Sequence, residues 1–291
     1  MSRLLIVDGH AYAYRAFHAI RELRSPGGQP TNAIYGFVKM LEKMRAAVVP
    51  THLLVAWDGG LSGDRLAALP DYKAQRPEMP ADLRPQLDGI VDFLAAARIA
   101  SYRADGVEAD DYIATVARLA AENWHVVIAS SDKDFMQLVS ARIGLLNPND
   151  KTGAIWGRAQ VLAKTGVEPE QVADWLALMG DAVDNIPGVP GVGPKTAAEL
   201  LKQFGTVENL LARLDEVKSE KLRQALRDAA AAVVRNQQLV RLPGVPCAWV
   251  PEKLAVRSGD DAALRRLFAG WGFKGLLAAL GAPGERQAEL I

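Results

Sequence analysis

The sequence predicts an α/β fold, with helices covering a mostly parallel sheet, followed by a helical region. Three observations carry this reading. Short apolar runs at residues 4–7, 53–57 and 126–129 each lead into turn residues, as buried parallel strands do. Helical periodicity fills the intervals between them. Beyond residue 171 the strand signals fade, and helices alternate with a glycine-rich turn.

Taken in order, Leu4-Leu5-Ile6-Val7 is a strand ending at Asp8-Gly9. Residues 32–48 form a helix with Ile34, Phe37, Val38 and Leu41 on one face. The run 53–57 is a second strand, ending at Asp58-Gly59-Gly60. Residues 61–85 hold four prolines and mixed charge, and break the rhythm. They predict a mobile, partly helical excursion over the sheet. A helix starts near Asp110, with Ile113, Val116 and Leu119 aligned, and the third strand, 126–129, ends at Ser130-Ser131-Asp132. Short helices are expected at 175–179 and at 195–204, the second closed by Gly205. Further helical patterns reach about residue 236. Weak β signals follow from Gln237, and a last helix lies near 261–280. The chain divides into an α/β part, 1–170, and a helical part, 171–291. Neither internal repeats nor low-complexity segments occur.

With 291 residues, 49% of them apolar, the chain can bury one substantial core and a second small domain. No uncharged apolar run approaches the roughly 18 residues of a membrane helix. The N-terminus, Met-Ser-Arg-Leu-Leu-Ile-Val-Asp, lacks a secretory signal pattern. The single cysteine, Cys247, excludes an internal disulfide framework and predicts a reducing, cytoplasmic setting. Four histidines and one cysteine do not make a usual zinc site. Any metal must be held mainly by oxygen, which selects magnesium, manganese or calcium. A formal net charge of zero counts against nucleic acid at first sight. It does so less if the carboxylates are collected in one place, leaving the remaining surface net positive.

The carboxylates are in fact placed for that. Asp8, Asp58 and Asp132 end the three predicted strands, where open α/β sheets bind ligands. Glu108, Asp110 and Asp111 precede or open a helix, Asp134 follows Asp132 by two, and Asp181 and Asp184 form a further group. Singly, these acids read as helix-start or turn residues. Together they repel: two carboxylates about 4 Å apart cost roughly 4 kcal/mol at an effective dielectric near 20. Protons or metal ions must relieve that repulsion. Two ions about 3.5–4 Å apart suit in-line attack on a phosphodiester.

Residues 186–197, Ile-Pro-Gly-Val-Pro-Gly-Val-Gly-Pro-Lys-Thr-Ala, predict a hairpin that grips a DNA backbone without reading bases. Gly188, Gly191 and Gly193 allow close approach. Pro194 suits a first helical position, Lys195 adds charge, and Thr196 lies in the first turn, whose free N–H groups can meet phosphate.

On these residues the chain resembles the 5′-nuclease domain of bacterial DNA polymerase I, within the flap endonuclease superfamily. The motifs carrying the resemblance are Tyr14-Arg15-Ala16-Phe17-His18, Tyr35-Gly36-Phe37, Asp71-Tyr72-Lys73-Ala74-Gln75-Arg76-Pro77, Glu108-Ala109-Asp110-Asp111, Ser131-Asp132-Lys133-Asp134 and the run from Gly180 to Gly188. The resemblance spans nearly the whole chain. It implies a PIN-like α/β domain with a helical arch at about 61–100, and a helix-three-turn-helix (helix-hairpin-helix) DNA clamp at about 186–204. It implies a first metal position on Asp8, Asp58, Glu108 and Asp110, a second on Asp132, Asp134 and Asp184, and supporting acids Asp111 and Asp181. The implied ion is Mg2+, with Mn2+ as substitute; the hairpin of relatives can also hold K+. Lys73 and Arg76 match basic residues that approach the scissile phosphate. Arg15, Tyr35 and Arg65 are expected to contact DNA. Relatives often carry Phe-Arg-His where this chain has Asp64-Arg65-Leu66, which keeps the cation and changes its flanks.

The implied activity is structure-specific 5′-3′ exonuclease and flap endonuclease action on DNA with a 5′ flap, nick or free 5′ end. The implied protein is a monomer without membrane association, acting with or fused to a DNA polymerase. A PIN-type ribonuclease would share the acids but not the hairpin and basic arch. A non-catalytic DNA-structure binder would be expected to have lost some of the acids. The polar end, from Gly281, reads as a linker.

Overall fold

A computed structural model describes residues 2–281; the rest of the expected linker, 282–291, lies outside the described residues. In chain order the elements are β1 (Arg3–Asp8), α1 (Gly9–Ala19), α2 (Asn32–Val48), β2 (His52–Ala56), α3 (Gly63–Ala68), α4 (Arg84–Ala96), β3 (Ala100–Tyr102), α5 (Ala109–Ala121), β4 (His125–Ala129), β5 (Ile143–Leu146) and β6 (Ile155–Trp156). The helical region follows with α6 (Arg158–Thr165), α7 (Val172–Met179), β7 (Gly180–Asp181), β8 (Ile186–Pro187), α8 (Pro194–Phe204), α9 (Val207–Ala212), α10 (Glu220–Asp228), α11 (Ala230–Val240), α12 (Asp261–Trp271) and α13 (Lys274–Ala279). The chain is mixed α/β, its strands mostly parallel and flanked by helices. Its described residues form two compact units: those up to 57, 78–103 and those from 248 on, and residues 58–77 and 104–247.

In the first unit β1 pairs in parallel with β2, Leu4 opposite His52 and Asp8 opposite Ala56, and β2 pairs in parallel with β3. Leu4, Leu5, Ile6 and Val7 are all fully buried, as expected for strands covered on both faces. Helix α2 has the predicted bounds. Gly36 lets it approach α1: a Cβ there would stand 2.9 Å from the Cβ of Ala16. Its N-terminus is satisfied by a buried glutamine. Gln86 Oε1 accepts from Ala33 N at 2.7 Å, and Gln86 Nε2 donates to Asn32 Oδ1 at 3.0 Å; otherwise those first N–H groups would be orphaned. Gln86 lies on α4, whose Phe93 stacks on Phe268 of α12.

The stretch expected to form the arch, about 61–100, is divided between the two units. Residues 78–103 belong to the first unit, with α4 a regular helix burying Ile90, Phe93 and Leu94. Residues 58–77 belong to the second and comprise α3 and a run of turns. The expected β structure after Gln237 is also absent among the described residues, apart from one bridge between His52 and Ala255. Pro243, Pro246 and Pro251 remove ladder donors from that segment.

In the second unit β4 pairs in parallel with β5, and β5 in antiparallel with β6. Helix α7 leads into the β7–β8 ladder, Gly180 opposite Pro187. Gly180 has φ +77°, and a Cβ on Gly188 would stand 2.2 Å from the Met179 carbonyl carbon and oxygen. Close backbone packing thus requires glycine at Gly188 before any ligand is considered. Gly191 (φ +81°) turns the chain toward α8. Gly193 precedes Pro194 at the first helical position, and Lys195 is exposed there.

Candidate metal centre

Eight of the nine expected acids, with Lys73 and Arg76, fall in the second unit. Asp58 follows β2 and accepts from Ala109 N at 2.8 Å, satisfying the start of α5. Glu108 immediately precedes α5 and is buried to 1% exposure. Its Oε1 accepts from Ser62 N at 3.0 Å and pairs with the Arg65 guanidinium, Nη1 standing 3.0 Å away. Its Oε2 accepts from Lys73 Nζ at 2.5 Å and faces the Tyr72 hydroxyl at 3.4 Å. Asp110, in the first turn of α5, interacts with Lys73 electrostatically. Burial would drive Glu108 toward its neutral form, but Lys73 and Arg65 outweigh it and hold the carboxyl below its ordinary range.

The second group assembles from two turns. Asp132 follows β4 and accepts from Asp134 N at 2.9 Å, shaping a short 3₁₀ turn. Asp134 is buried, and its Oδ1 has no hydrogen-bond partner. The loop between β7 and β8 brings Asp181 and Asp184, and carboxylate oxygens of Asp134, Asp181 and Asp184 lie within 4.8 Å of one another. Burial, then the charges of Asp132, Asp184 and Asp181, push Asp134 well above its ordinary pKa. Asp132 is raised by burial and by Asp184 and Asp181, against the hydrogen bond from Asp134 N. A buried carboxylate oxygen without a partner, among carboxyls that resist ionising, is the environment a hard divalent cation relieves. The residues fit such an ion.

Cationic side chains also enter this space. Arg76 Nη2 donates to Asp184 Oδ1 at 2.7 Å, Lys73 Nζ stands 3.8 Å from Asp184 Oδ2, and Lys133 Nζ pairs with Asp181 Oδ1 at 2.8 Å. The expectation that only protons or metal could relieve the acids is corrected accordingly: lysine and arginine neutralise part of the cluster. The turn carrying Lys73 is tied down by backbone. Lys73 N donates to the Asp184 carbonyl at 3.0 Å, and Asn185 Nδ2 donates to the Asp71 carbonyl at 2.8 Å. Lys73 and Asn185 both take left-handed backbone, φ +57°, a conformation that costs of order 1–3 kcal/mol for a non-glycine residue unless the surroundings hold it.

Arg65 and Asp111 are paired with each other. Arg65 does not face solvent; its side chain is 7% exposed, with Nη1 and Nη2 each 2.8 Å from one oxygen of Asp111. Asp111 has both oxygens in that fork. The remaining residues belong to the first unit. Asp8 is in the first unit, buried, accepting from Ala11 N at 3.1 Å as the cap of α1. Arg15 is exposed on α1. Tyr35 makes an edge-on contact with Phe273 at 5.2 Å between ring centroids. Sequence reasoning passed over Tyr72, Lys133 and Asn185. Lys133 was legible as a cation between two acids; the Asn185 contact, 114 residues away, was not.

Comparison with known proteins follows the same lines. Residues 3–166 match the 5′-3′ exonuclease N-terminal resolvase-like domain, and residues 167–262 the 5′-3′ exonuclease C-terminal SAM fold. The chain belongs to the 5′-3′ exonuclease family. It is 42% identical to a 5′-3′ exonuclease of Aquifex aeolicus over 222 residues, 76% of each chain. It is 38% identical to DNA polymerase I of Bacillus caldotenax over 289 residues, 98% of this chain and 33% of that one. The chain thus spans about a third of the length of the polymerases it matches. Among solved structures, a T5 5′-exonuclease with divalent zinc ions bound superposes with TM-score 0.69 at 28% identity, over 83% of this chain and 90% of that one. The catalytic core of Rad2 in complex with DNA substrate shares the fold, with TM-score 0.65 at 17% identity over 99% and 91%. Among the described residues no helix is long and apolar enough to cross a membrane.

Proposed function

We propose that this chain is a divalent-metal-dependent 5′-3′ exonuclease and flap endonuclease, hydrolysing DNA phosphodiesters near 5′ ends. The observation that carries this is the crowding of Asp134, Asp181 and Asp184 around a buried carboxylate oxygen without a partner, beside Lys73 and Arg76. Asp58, Glu108 and Asp110 serve a first ion, joined on the resemblance alone by Asp8. Asp132, Asp134 and Asp184 serve a second, with Asp181 in support. Mg2+ is the working ion, and Mn2+ replaces it. Ions held there supply an activated water and neutralise charge on the phosphate.

The chain's own groups do the rest. Lys73 and Arg76 put two cations beside the acids, where a phosphate acquiring charge gains most from them. The hairpin, with Gly191, Gly193, Lys195 and Thr196, offers the free N–H groups of the α8 start to a DNA backbone. K+ on hairpin carbonyls, Arg15 and Tyr35 near the DNA junction, a functional boundary near residue 170, a monomeric state, a cytoplasmic setting and work beside or within a DNA polymerase belong to the same reading. A labelled 5′-flap duplex tests it. Cleavage at the flap junction is expected with magnesium and not with chelator, and a folded protein inert with both magnesium and manganese would overturn the proposal.

A further inference from the structure

We infer that Arg65 is a positioning residue: through a buried fork shared with Asp111, it turns Glu108 so that one carboxylate oxygen is committed to the fold and the other is presented for an ion. This rests on the proposed role of Glu108 as a ligand.

The argument starts from the inventory of donors. A guanidinium has five N–H groups in a fixed plane. Here the group donates four hydrogen bonds, and Nη1 also stands at ion-pair distance from Glu108. Nε donates to the Leu239 carbonyl at 3.0 Å, and Nη1 faces Asp111 Oδ2 at 2.8 Å and Glu108 Oε1 at 3.0 Å. Nη2 donates to Asp111 Oδ1 at 2.8 Å and to the Arg241 carbonyl at 3.2 Å. The two carbonyls come from the C-terminal end of α11, where unpaired carbonyls and the helix dipole favour a cation. Arg65 therefore joins α3, the start of α5 and the end of α11.

Glu108 gains a fixed orientation from this. Its Oε1 is held by Arg65 and by Ser62 N, so its Oε2 points toward Lys73 and Tyr72. A carboxylate free to rotate would lose ordering entropy on taking an ion; one clamped through the opposite oxygen has already lost it. Partners behind a ligand commonly change metal affinity by about 10–100-fold. Asp111 acts through Arg65, as the counter-charge that keeps the fork planar and in place.

The test uses the full 291-residue chain. Arg65→Lys keeps the charge and loses the bidentate fork. The double variant Arg65→Met/Asp111→Leu removes both charges together, which buried ion pairs often tolerate when volume is kept. Mn2+ affinity is measured without DNA by electron paramagnetic resonance of the free ion, and 5′-flap DNA affinity in calcium. In both variants Mn2+ binding should weaken by about tenfold or more, with DNA affinity nearly unchanged. The magnesium needed for half-maximal cleavage should rise in step, and saturating magnesium should restore most of the rate, which a merely loosened fold would not do. Wild-type Mn2+ affinity in folded Arg65→Lys overturns the inference, as does weakened DNA binding with unchanged Mn2+ affinity. Glu108→Gln separates the two levels. If it binds Mn2+ like wild type, the ligand assignment itself fails; if it binds weakly while Arg65→Lys binds normally, only the positioning role fails.

Discussion

The acids at the start of α5 and those of the Asp132–Asp134 turn are equally crowded, yet they answer burial in opposite ways. Glu108 is almost wholly enclosed and is nevertheless held ionised, because Arg65 and Lys73 sit against it. Asp134 is enclosed among Asp132, Asp181 and Asp184, and is driven toward its protonated form. Burial is common to both, so compensation by cations decides the outcome. Cations press directly on Glu108, whereas Lys133 pairs with Asp181 and only partly offsets the burial of Asp134. Asp184 stands between the two halves of the centre, touched by Arg76 and Lys73 yet within the Asp134 cluster.

The sharpest way to break this comparison is to remove the acid common to both halves. Asp184→Ala should lower single-turnover cleavage of a 5′ flap in magnesium by two or more orders of magnitude, since one of the two ions stabilising the displacement is compromised. Flap binding in calcium should stay within several-fold, because the hairpin N–H groups are untouched. Near-normal cleavage would dissolve the division into two halves; lost binding by a folded variant would make Asp184 part of the DNA grip.

Removing a built-in cation should have opposite effects on chemistry and on metal. Lys73→Ala should slow cleavage by roughly 10²-fold, the usual scale for a group acting on developing charge. It also exposes Glu108 Oε2, so Mn2+ affinity without DNA should rise several-fold. A variant that lost both rate and metal affinity would show that Lys73 supports the acids rather than competing with an ion for them.

The smallest effect is in stability and depends on pH. A carboxyl whose folded pKa is raised lends stability that is full below the unfolded value, about 3.9 for aspartate, and is lost as pH rises through the folded one. Asp134→Asn cannot ionise. In chelator at pH 8 it should therefore melt above wild type by a few degrees, about 1 kcal/mol corresponding to roughly 2–4 °C at this size. The gap should close as pH falls, and millimolar magnesium should reverse it by stabilising wild type alone. A gap independent of both pH and metal would mean that Asp134 is not strained by its neighbours.

Much of this was legible in the sequence because it follows from short-range rules. A parallel strand ends where its apolar run meets an acid, which placed Asp8, Asp58 and Asp132, and Gly205 closes α8 as expected. Strand β3 escaped notice because Ala-Ser-Tyr contains no apolar run. The burial of Arg65 was hidden for a deeper reason. A cation in a polar, proline-rich stretch reads as solvated surface, and its burial depends on carbonyls 174 and 176 residues away and on an acid 46 away. Which acids stand together was visible; which cations stand among them depends on long-range packing that periodicity does not encode.

The reciprocal backbone ties between residues 71–73 and 184–185 have a mechanical consequence. Lys73 N holds the Asp184 carbonyl, while Asn185 Nδ2 holds the Asp71 carbonyl, so the cationic turn and the acidic loop move as one piece. That loop is closed at its base by the Asp181–Ile186 rung and runs straight into Pro187 and Gly188 of the hairpin. If the hairpin takes a DNA backbone as proposed, a displacement there reaches the turn of Lys73 and Arg76 through only a few residues of chain.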